Sequence, residues 1–303
     1  MVKSKNVLIA GGKGFLGQSL QAYFQELGFC VRILTRHPQK QNEVYWDGQN
    51  LGDWIAEIEW ADILINLAGK SVDCRYTEAN KKAIIDSRVD STHILAVAIK
   101  KAEHKPQIWL NSSSATIYVH AESTGMTEDQ GVIGDDFSMN VCKAWEKEFF
   151  KHDLQHTRRV ALRTSIVLGN DGGAYPKLKG LVRFFMGGYQ GNGRQYVSWI
   201  HVLDFCRAID HIIHHPELVG PVNIVAPNPV PNKTFMRVLR KSLKRHIGLN
   251  QPKWFLELGA KLIGTETELL LKSRRVIPEY LLEAGFQFQY QEINAVFAHL
   301  NSQ

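Results

Sequence analysis

No apolar stretch of this chain approaches membrane-spanning length, so no membrane partner is expected. The apolar run after Met1-Val2-Lys3-Ser4-Lys5 stops at Gly11, too short for a signal core, and a cytoplasmic location is expected. Cysteine is scarce. Cys30, Cys74, Cys142 and Cys206 lie far apart without a C-x-x-C pair, which argues against a disulfide scaffold and a thiolate metal centre. They are expected to be reduced and mostly buried. Lysine and arginine number 36 against 30 acidic residues, a net charge of +6, yet there is no long basic run, only clusters such as Lys272-Ser273-Arg274-Arg275. A nucleic-acid partner is therefore not expected, although a basic surface suits phosphorylated ligands. The twelve histidines, His214-His215 among them, are read as lacking a ligand framework, and no metal site is expected. No repeat or low-complexity tract is visible.

The 303 residues, 44% of them hydrophobic and 22% charged, can build one large α/β domain with a smaller lobe, or two domains. Near the start, Asn6-Val7-Leu8-Ile9-Ala10 runs into Gly11-Gly12-Lys13-Gly14-Phe15-Leu16-Gly17. A strand that breaks into glycines and reopens as a helix is how a dinucleotide-binding unit begins. Glycines allow a tight turn and close approach of backbone to a pyrophosphate, while free N–H groups at the helix start supply positive potential. Gly11, Gly14 and Gly17 give the spacing G-x-x-G-x-x-G, the short-chain dehydrogenase form. Leu16, Leu20, Tyr23, Phe24 and Leu27 recur at helical spacing, with Gly28 as the stop, and Phe29 to Thr35 reads as the second strand. At that strand's end an NAD-selective site carries an acidic residue for the ribose hydroxyls. Here stand Thr35-Arg36-His37, and a guanidinium suits a 2′-phosphate, so NADP is the expected cofactor.

Further along, a short helix is expected at Trp54 to Ile58, while Val44 to Asp47 is ambiguous. Asp62 to Leu67 reads as a strand covered on both faces, ending in Ala68-Gly69. Thr77 to Ala102 carries a helix with Ala83, Ile84, Val89, Leu95 and Ile99 inward. Gln107 to Leu110 is a strand leading to Asn111-Ser112-Ser113-Ser114-Ala115-Thr116-Ile117-Tyr118. Ser138 to Phe150 is helical, and Val160 to Leu168 is another strand. This alternation implies a doubly wound parallel sheet of Rossmann type. Asp204 reads as a helix N-cap, with Trp199 and His201 lining a cleft between lobes. Gly169 to Gly173 and Gly187 to Arg194 look like mobile walls of a substrate cleft.

The set GGKGFLG, NLAG, SSSATIY, LRTSIVLG and SWIHVLDF, in this order, resembles the extended short-chain dehydrogenase/reductase superfamily. Arg75-Tyr76-Thr77 through Ser87-Arg88-Val89, Val141 to Glu146, and a C-terminal lobe with Pro252-Lys253-Trp254-Phe255, Ser273 to Pro278 and Ala284-Gly285-Phe286 resemble its epimerase branch, the predicted nucleoside-diphosphate-sugar epimerases. The resemblance covers nearly the whole chain. It implies an NAD(P)-binding domain over 1–226 and a smaller lobe over 227–303, with 169–197 also lining the cleft. It implies that Gly11, Gly12, Phe15 and Leu16 hold the pyrophosphate, and that Thr35 and Arg36 hold the adenosine phosphate. Leu67, Ala68 and Gly69 would line the adenine and ribose path. Ser112, Arg163 and, more weakly, Arg75 complete the expected cofactor contacts.

The catalytic pattern departs from the superfamily. A Ser or Thr after the fifth strand, a Tyr and a Lys in Y-x-x-x-K carry the proton chemistry there. Ser114 matches the hydroxyl, but registering the helix on Glu146 puts Ser138 at the tyrosine position and Cys142 at the lysine position. Lys143 points away from the Ser138/Cys142 face and is either a substitute or a solvated lysine. Tyr118 is either the proton donor or a wall of the pocket. Two functions stay open. One is an NADP-dependent oxidoreductase or epimerase acting on a carbonyl, alcohol or sugar-nucleotide substrate. The other is a non-catalytic NADP(H)-binding sensor, supported by the lost pair. Pairing through the two long helices into a homodimer is compatible with the pattern without being proved by it.

Overall fold

The computed structural model describes residues 5–257 and 271–302. The readings of residues 1–4, and of 258–270 within the C-terminal lobe, fall outside the described residues. Among the described residues no helix is long and apolar enough to cross a membrane.

Seven strands form one parallel sheet: β1 (Asn6–Ala10), β2 (Cys30–Thr35), β3 (Glu43–Tyr45), β4 (Ile63–Asn66), β5 (Ile108–Ser114), β6 (Arg158–Thr164) and β7 (Gly220–Ile224). Their order is β7-β6-β5-β4-β1-β2-β3, so the direction of winding reverses between β1 and β4. A reversal opens a crevice at the strands' carboxyl ends, where ligands of open α/β sheets bind. Successive strand residues face opposite sides, and both sides here are apolar. Val7, Ile9, Ile65 and Leu110 face α1 (Phe15–Glu26) and α6 (Val202–His214). Leu8, Ala10, Leu64 and Trp109 face α2 (Ile55–Trp60), α3 (Glu78–Lys101) and α4 (Phe137–Lys151). The ambiguous segment near Val44 is the short edge strand β3.

Local chemistry sets the helix ends. Thr77 caps α3 by accepting the Asn80 N–H at 3.2 Å, and Lys100 and Lys101 complement its C-terminal dipole. Ile84, Leu95 and Ile99 are buried as expected, while Ala83 and Val89 stay partly exposed. At α1, a Cβ on Gly17 would lie 2.4 Å from the Gly12 backbone, so this glycine lets the helix settle on the turn before it. Gly28 ends the segment at φ +81°.

Beyond the sheet, α5 (Tyr175–Arg183), α7 (Asn232–Ser242) and the helix Ile293–Ser302 bury a second cluster that includes Tyr175, Phe235, Leu239 and Phe297. Three expectations are corrected in this region. His201, not Asp204, caps α6: its Nδ1 accepts the Leu203 N–H at 3.0 Å. Asp204 lies inside the first turn, where its buried carboxylate accepts the N–H groups of Gln289 and Tyr290. Trp199 and His201 are buried rather than lining an open cleft, His201 lying 3.1 Å from His299. The expected mobile walls are fastened. Phe15 packs under Gly169 and Gly172, and backbone hydrogen bonds tie Phe185 to Gly191 onto Leu249 to Gln251. Of the four cysteines only Cys142 and Cys206 are buried; Cys30 is exposed and Cys74 half-buried.

Candidate functional site

The carboxyl ends of β1, β2 and β4 converge on the glycine turn. Gly11 donates to Leu34 O at 2.9 Å, and Leu67 donates to Ala10 O at 2.8 Å. Gly11 has φ +74°, and a Cβ there would stand 2.8 Å from the Ala68 Cα, so only glycine fits. Gly14 is different. It is exposed, its φ is −78°, and a Cβ there would meet nothing within 4 Å. The protein's own packing does not require a glycine at this position. No side chain caps α1, which leaves its first N–H groups aimed into the same space. These features fit a dinucleotide's pyrophosphate. Phe15 and Leu16 offer backbone N–H groups, because the Phe15 ring is committed to the 169–173 hairpin.

Thr35 is buried at the end of β2, its hydroxyl accepting the His37 N–H at 3.3 Å. Arg36 is exposed and pairs with no carboxylate among the described residues. Beside it, Lys13 reaches from the glycine turn to the His37 carbonyl and the Glu43 carboxylate. Lys13 thus adds a cation at the β2 end, a contribution visible only once the turn and the loop are folded together. Arg75 is exposed in the segment after β4, with Asn80 donating to its carbonyl at 2.8 Å.

A second cation, Arg88, was also given no role in the sequence reading. Arg88 donates to the carbonyls of Lys70 and Ile84, lies 5.0 Å from the Trp145 ring centre, and would touch any side chain at Gly69. No carboxylate pairs with it among the described residues. Burial holds it below the ordinary arginine range, with Cys142 and Tyr76 as its titratable neighbours. It brings a poorly compensated positive charge to the side of the crevice where the usual lysine is missing.

On β5 the serines alternate. Ser112 and Ser114 are half-exposed, whereas Ser113 turns inward and donates to Glu146 at 2.6 Å. Ser114 Oγ accepts from the Thr116 N–H at 3.2 Å and hydroxyl at 3.0 Å, and Thr116 Oγ1 lies 3.5 Å from Cys142 Sγ. With two acceptor sites filled, the Ser114 hydroxyl's own proton has only the 3.4 Å Thr164 carbonyl to hold it. Ser138 and Cys142 are both buried. Ser138 Oγ has no hydrogen-bond partner among the described residues, and burial pushes the Cys142 thiol up to about 11, so it stays protonated at neutral pH.

Three expected site residues are occupied elsewhere. Tyr118 is fully buried, accepts from Arg163 at 2.8 Å and donates to Asn223 Oδ1 at 2.9 Å. Burial raises its pKa despite Arg163, so a proton-donor role does not fit. Arg163 is held through Nε and Nη2 by both oxygens of Glu146, each at 2.9 Å, and its Nη1 donates to the Tyr118 oxygen. Lys143 is exposed and paired with Asp135, away from Ser114. Tyr118 and Arg163 are taken by partners distant in sequence, Lys143 by one eight residues away.

The sequence profile described as the NAD dependent epimerase/dehydratase family matches residues 7–225. The chain belongs to that family. Residues 251–300 of this epimerase-family chain match a domain of unknown function, DUF1731. The epimerase family protein YfhF of Bacillus subtilis is 32% identical over 300 residues, covering 97% of each chain. The crystal structure of human epimerase family protein SDR39U1 (isoform 2) with NADPH superposes at a TM-score of 0.89, with 28% identity, over 98% of this chain and 99% of that one. A nucleoside-diphosphate sugar epimerase from Corynebacterium glutamicum superposes at 0.81 with 30% identity, over 99% of this chain and 59% of that one.

Proposed function

We propose that this family member binds NADP and acts as an oxidoreductase or epimerase on a small carbonyl, alcohol or sugar-nucleotide substrate. One observation carries the reading. The uncapped start of α1 and the open Gly14 follow β1, whose neighbour β4 marks the reversal of the sheet, and Arg36, exposed and paired with no carboxylate among the described residues, follows the adjacent strand β2. The NADPH in the human relative supports the same choice of cofactor. The first N–H groups of α1 and the turn Gly11, Gly12, Gly14 and Gly17 would hold the pyrophosphate. Thr35, Arg36 and Lys13 would take the 2′-phosphate. Leu67, Ala68 and Gly69 would line the adenosine path, with Arg75, Arg88 and Ser112 toward the nicotinamide half. Once bound, the nicotinamide supplies hydride exchange.

The chain's own contribution centres on Ser114. Its hydroxyl, oriented by Thr116, would donate a hydrogen bond to the reacting substrate oxygen and stabilise charge developing there. Arg88 would add positive potential in place of the absent lysine. We take 1–226 as the cofactor domain and 227–303 as the lobe that completes the substrate cleft of a cytoplasmic enzyme.

The test is NADPH oxidation against a panel of carbonyl compounds and sugar nucleotides. Turnover by the native chain should fall at least about 100-fold in Ser114→Ala. Tight NADPH binding without turnover on any substrate, or turnover unaffected by that change, would defeat the enzymatic reading.

A further inference from the structure

His93 on α3, Glu148 on α4 and His152, the residue that caps the C-terminal end of α4, meet on the side of the sheet opposite α1. His93 Nδ1 and His152 Nε2 each lie 3.0 Å from the same carboxylate oxygen, Glu148 Oε1. The three ligand atoms lie within 4.8 Å of one another. Zinc bonds of about 2.0–2.2 Å in a tetrahedron set ligand atoms roughly 3.3–3.6 Å apart. The two ring-to-carboxylate edges are therefore near the required spacing. The remaining edge closes by rotating His93, whose side chain is half exposed.

The surroundings suit a metal as well. Lys151 holds the other oxygen, Oε2, at 2.5 Å, leaving Oε1 to the two rings, as an outer partner fixes a ligating carboxylate. A metal would take both rings neutral, with the lone pairs of His93 Nδ1 and His152 Nε2 directed at the ion in place of the hydrogen bonds they make to Glu148. Two imidazoles and one carboxylate are a borderline donor set that selects zinc-like dications over calcium or magnesium.

We propose that His93, Glu148 and His152 form a three-ligand site for a transition-metal dication, zinc foremost, which clamps α3 to α4 and keeps its last position open to water beside His93. The nearby cations Lys100, Lys151 and Arg159 temper its affinity without occupying the ligand atoms. The clamp is independent of the cofactor crevice.

Chelator-stripped, untagged protein should take up one zinc ion per chain in calorimetry, give a tetrahedral Co(II) absorption spectrum, and melt about 2 °C or more higher at saturating zinc. His93→Gln removes a half-exposed ligand. It should melt like the native chain without metal and bind zinc at least about tenfold more weakly. His152→Gln should lose the Co(II) spectrum. His211→Gln is the control, because His211 and His215 stack at 3.8 Å and offer a rival pair; it should bind zinc as the native chain does. No uptake, uptake unchanged in both His93→Gln and His152→Gln, or uptake abolished by His211→Gln would each overturn the proposal.

Discussion

Glu146→Ala removes the centre of a buried network and should destabilise the fold by about 3 kcal/mol. Arg163 and Glu146 are almost wholly removed from water, and their two hydrogen bonds, each 2.9 Å, form a fork-to-fork pair. Deleting one partner of a buried pair costs roughly 3–5 kcal/mol, because the other charge is left uncompensated. The lower end applies here, since Arg163 keeps its bond to the Tyr118 oxygen. Glu146→Gln retains the shape but turns an amide NH₂ toward a guanidinium nitrogen, so a loss of about 2 kcal/mol is expected. A double-mutant cycle with Arg163→Met, read by urea unfolding, should return a coupling of about 2 kcal/mol. The cycle also separates two roles for Arg163. A packing network predicts that Arg163→Met lowers stability while changing NADPH affinity less than about threefold. A loss below 1 kcal/mol for Glu146→Ala, or an affinity collapse in Arg163→Met with stability intact, would refute the assignment.

Other consequences are simpler to state. Gly14→Ala should cost about 1 kcal/mol or less, the N-cap preference for glycine over alanine, yet weaken NADPH at least about tenfold; Gly17→Ala should lower stability by roughly 1–3 kcal/mol through overpacking while changing NADPH affinity less. Equal behaviour of the two variants would contradict the distinction between a ligand-facing and a packing glycine. Burial and its His299 neighbour lower His201 to about 4, so its contribution to stability is present above about pH 6.5 and is lost as pH falls toward 4. Burial raises Glu128 to about 7, so its contribution has the opposite sign: stability falls as pH rises from about 4.5 to 7. The two slopes offset each other. His201→Asn, which keeps a capping oxygen, should expose the falling slope and Glu128→Gln the rising one, each by up to roughly 3 kcal/mol; parallel pH profiles for the two variants would defeat this. Cys30 should react fastest with a thiol reagent, and Cys142 and Cys206, buried and pushed up to about 11 and about 12, only on unfolding; early labelling of either would contradict the packing.

Much of the fold was legible because strands covered on both faces must be apolar throughout, and the glycine turn announces a strand-to-helix reversal. Asn6 to Gly17 carried that signal locally. Other features arise only when distant segments meet. Tyr118 and Arg163 both sit near expected catalytic or cofactor positions, yet which face of β6 presents Arg163, and that Glu146 waits there, follows from register rather than residue type. Arg88 looked like one more helix arginine until Gly69 and Trp145 folded against it. The histidine reading missed His211-x-x-x-His215 and did not foresee His93 beside Glu148, which are 55 residues apart in sequence. Asp204 is a fair cap by composition, but the helix began earlier, at His201. By contrast Ser138 and Cys142 were registered from sequence, and their burial explains why neither supplies an ordinary proton carrier.

Calorimetry on ligand-stripped protein puts the cofactor assignment to its most direct test. One NADPH per chain should bind, NADH should bind at least about tenfold more weakly, and Arg36→Asp should erase or reverse that preference. Absence of uptake of either dinucleotide would contradict the account at its root.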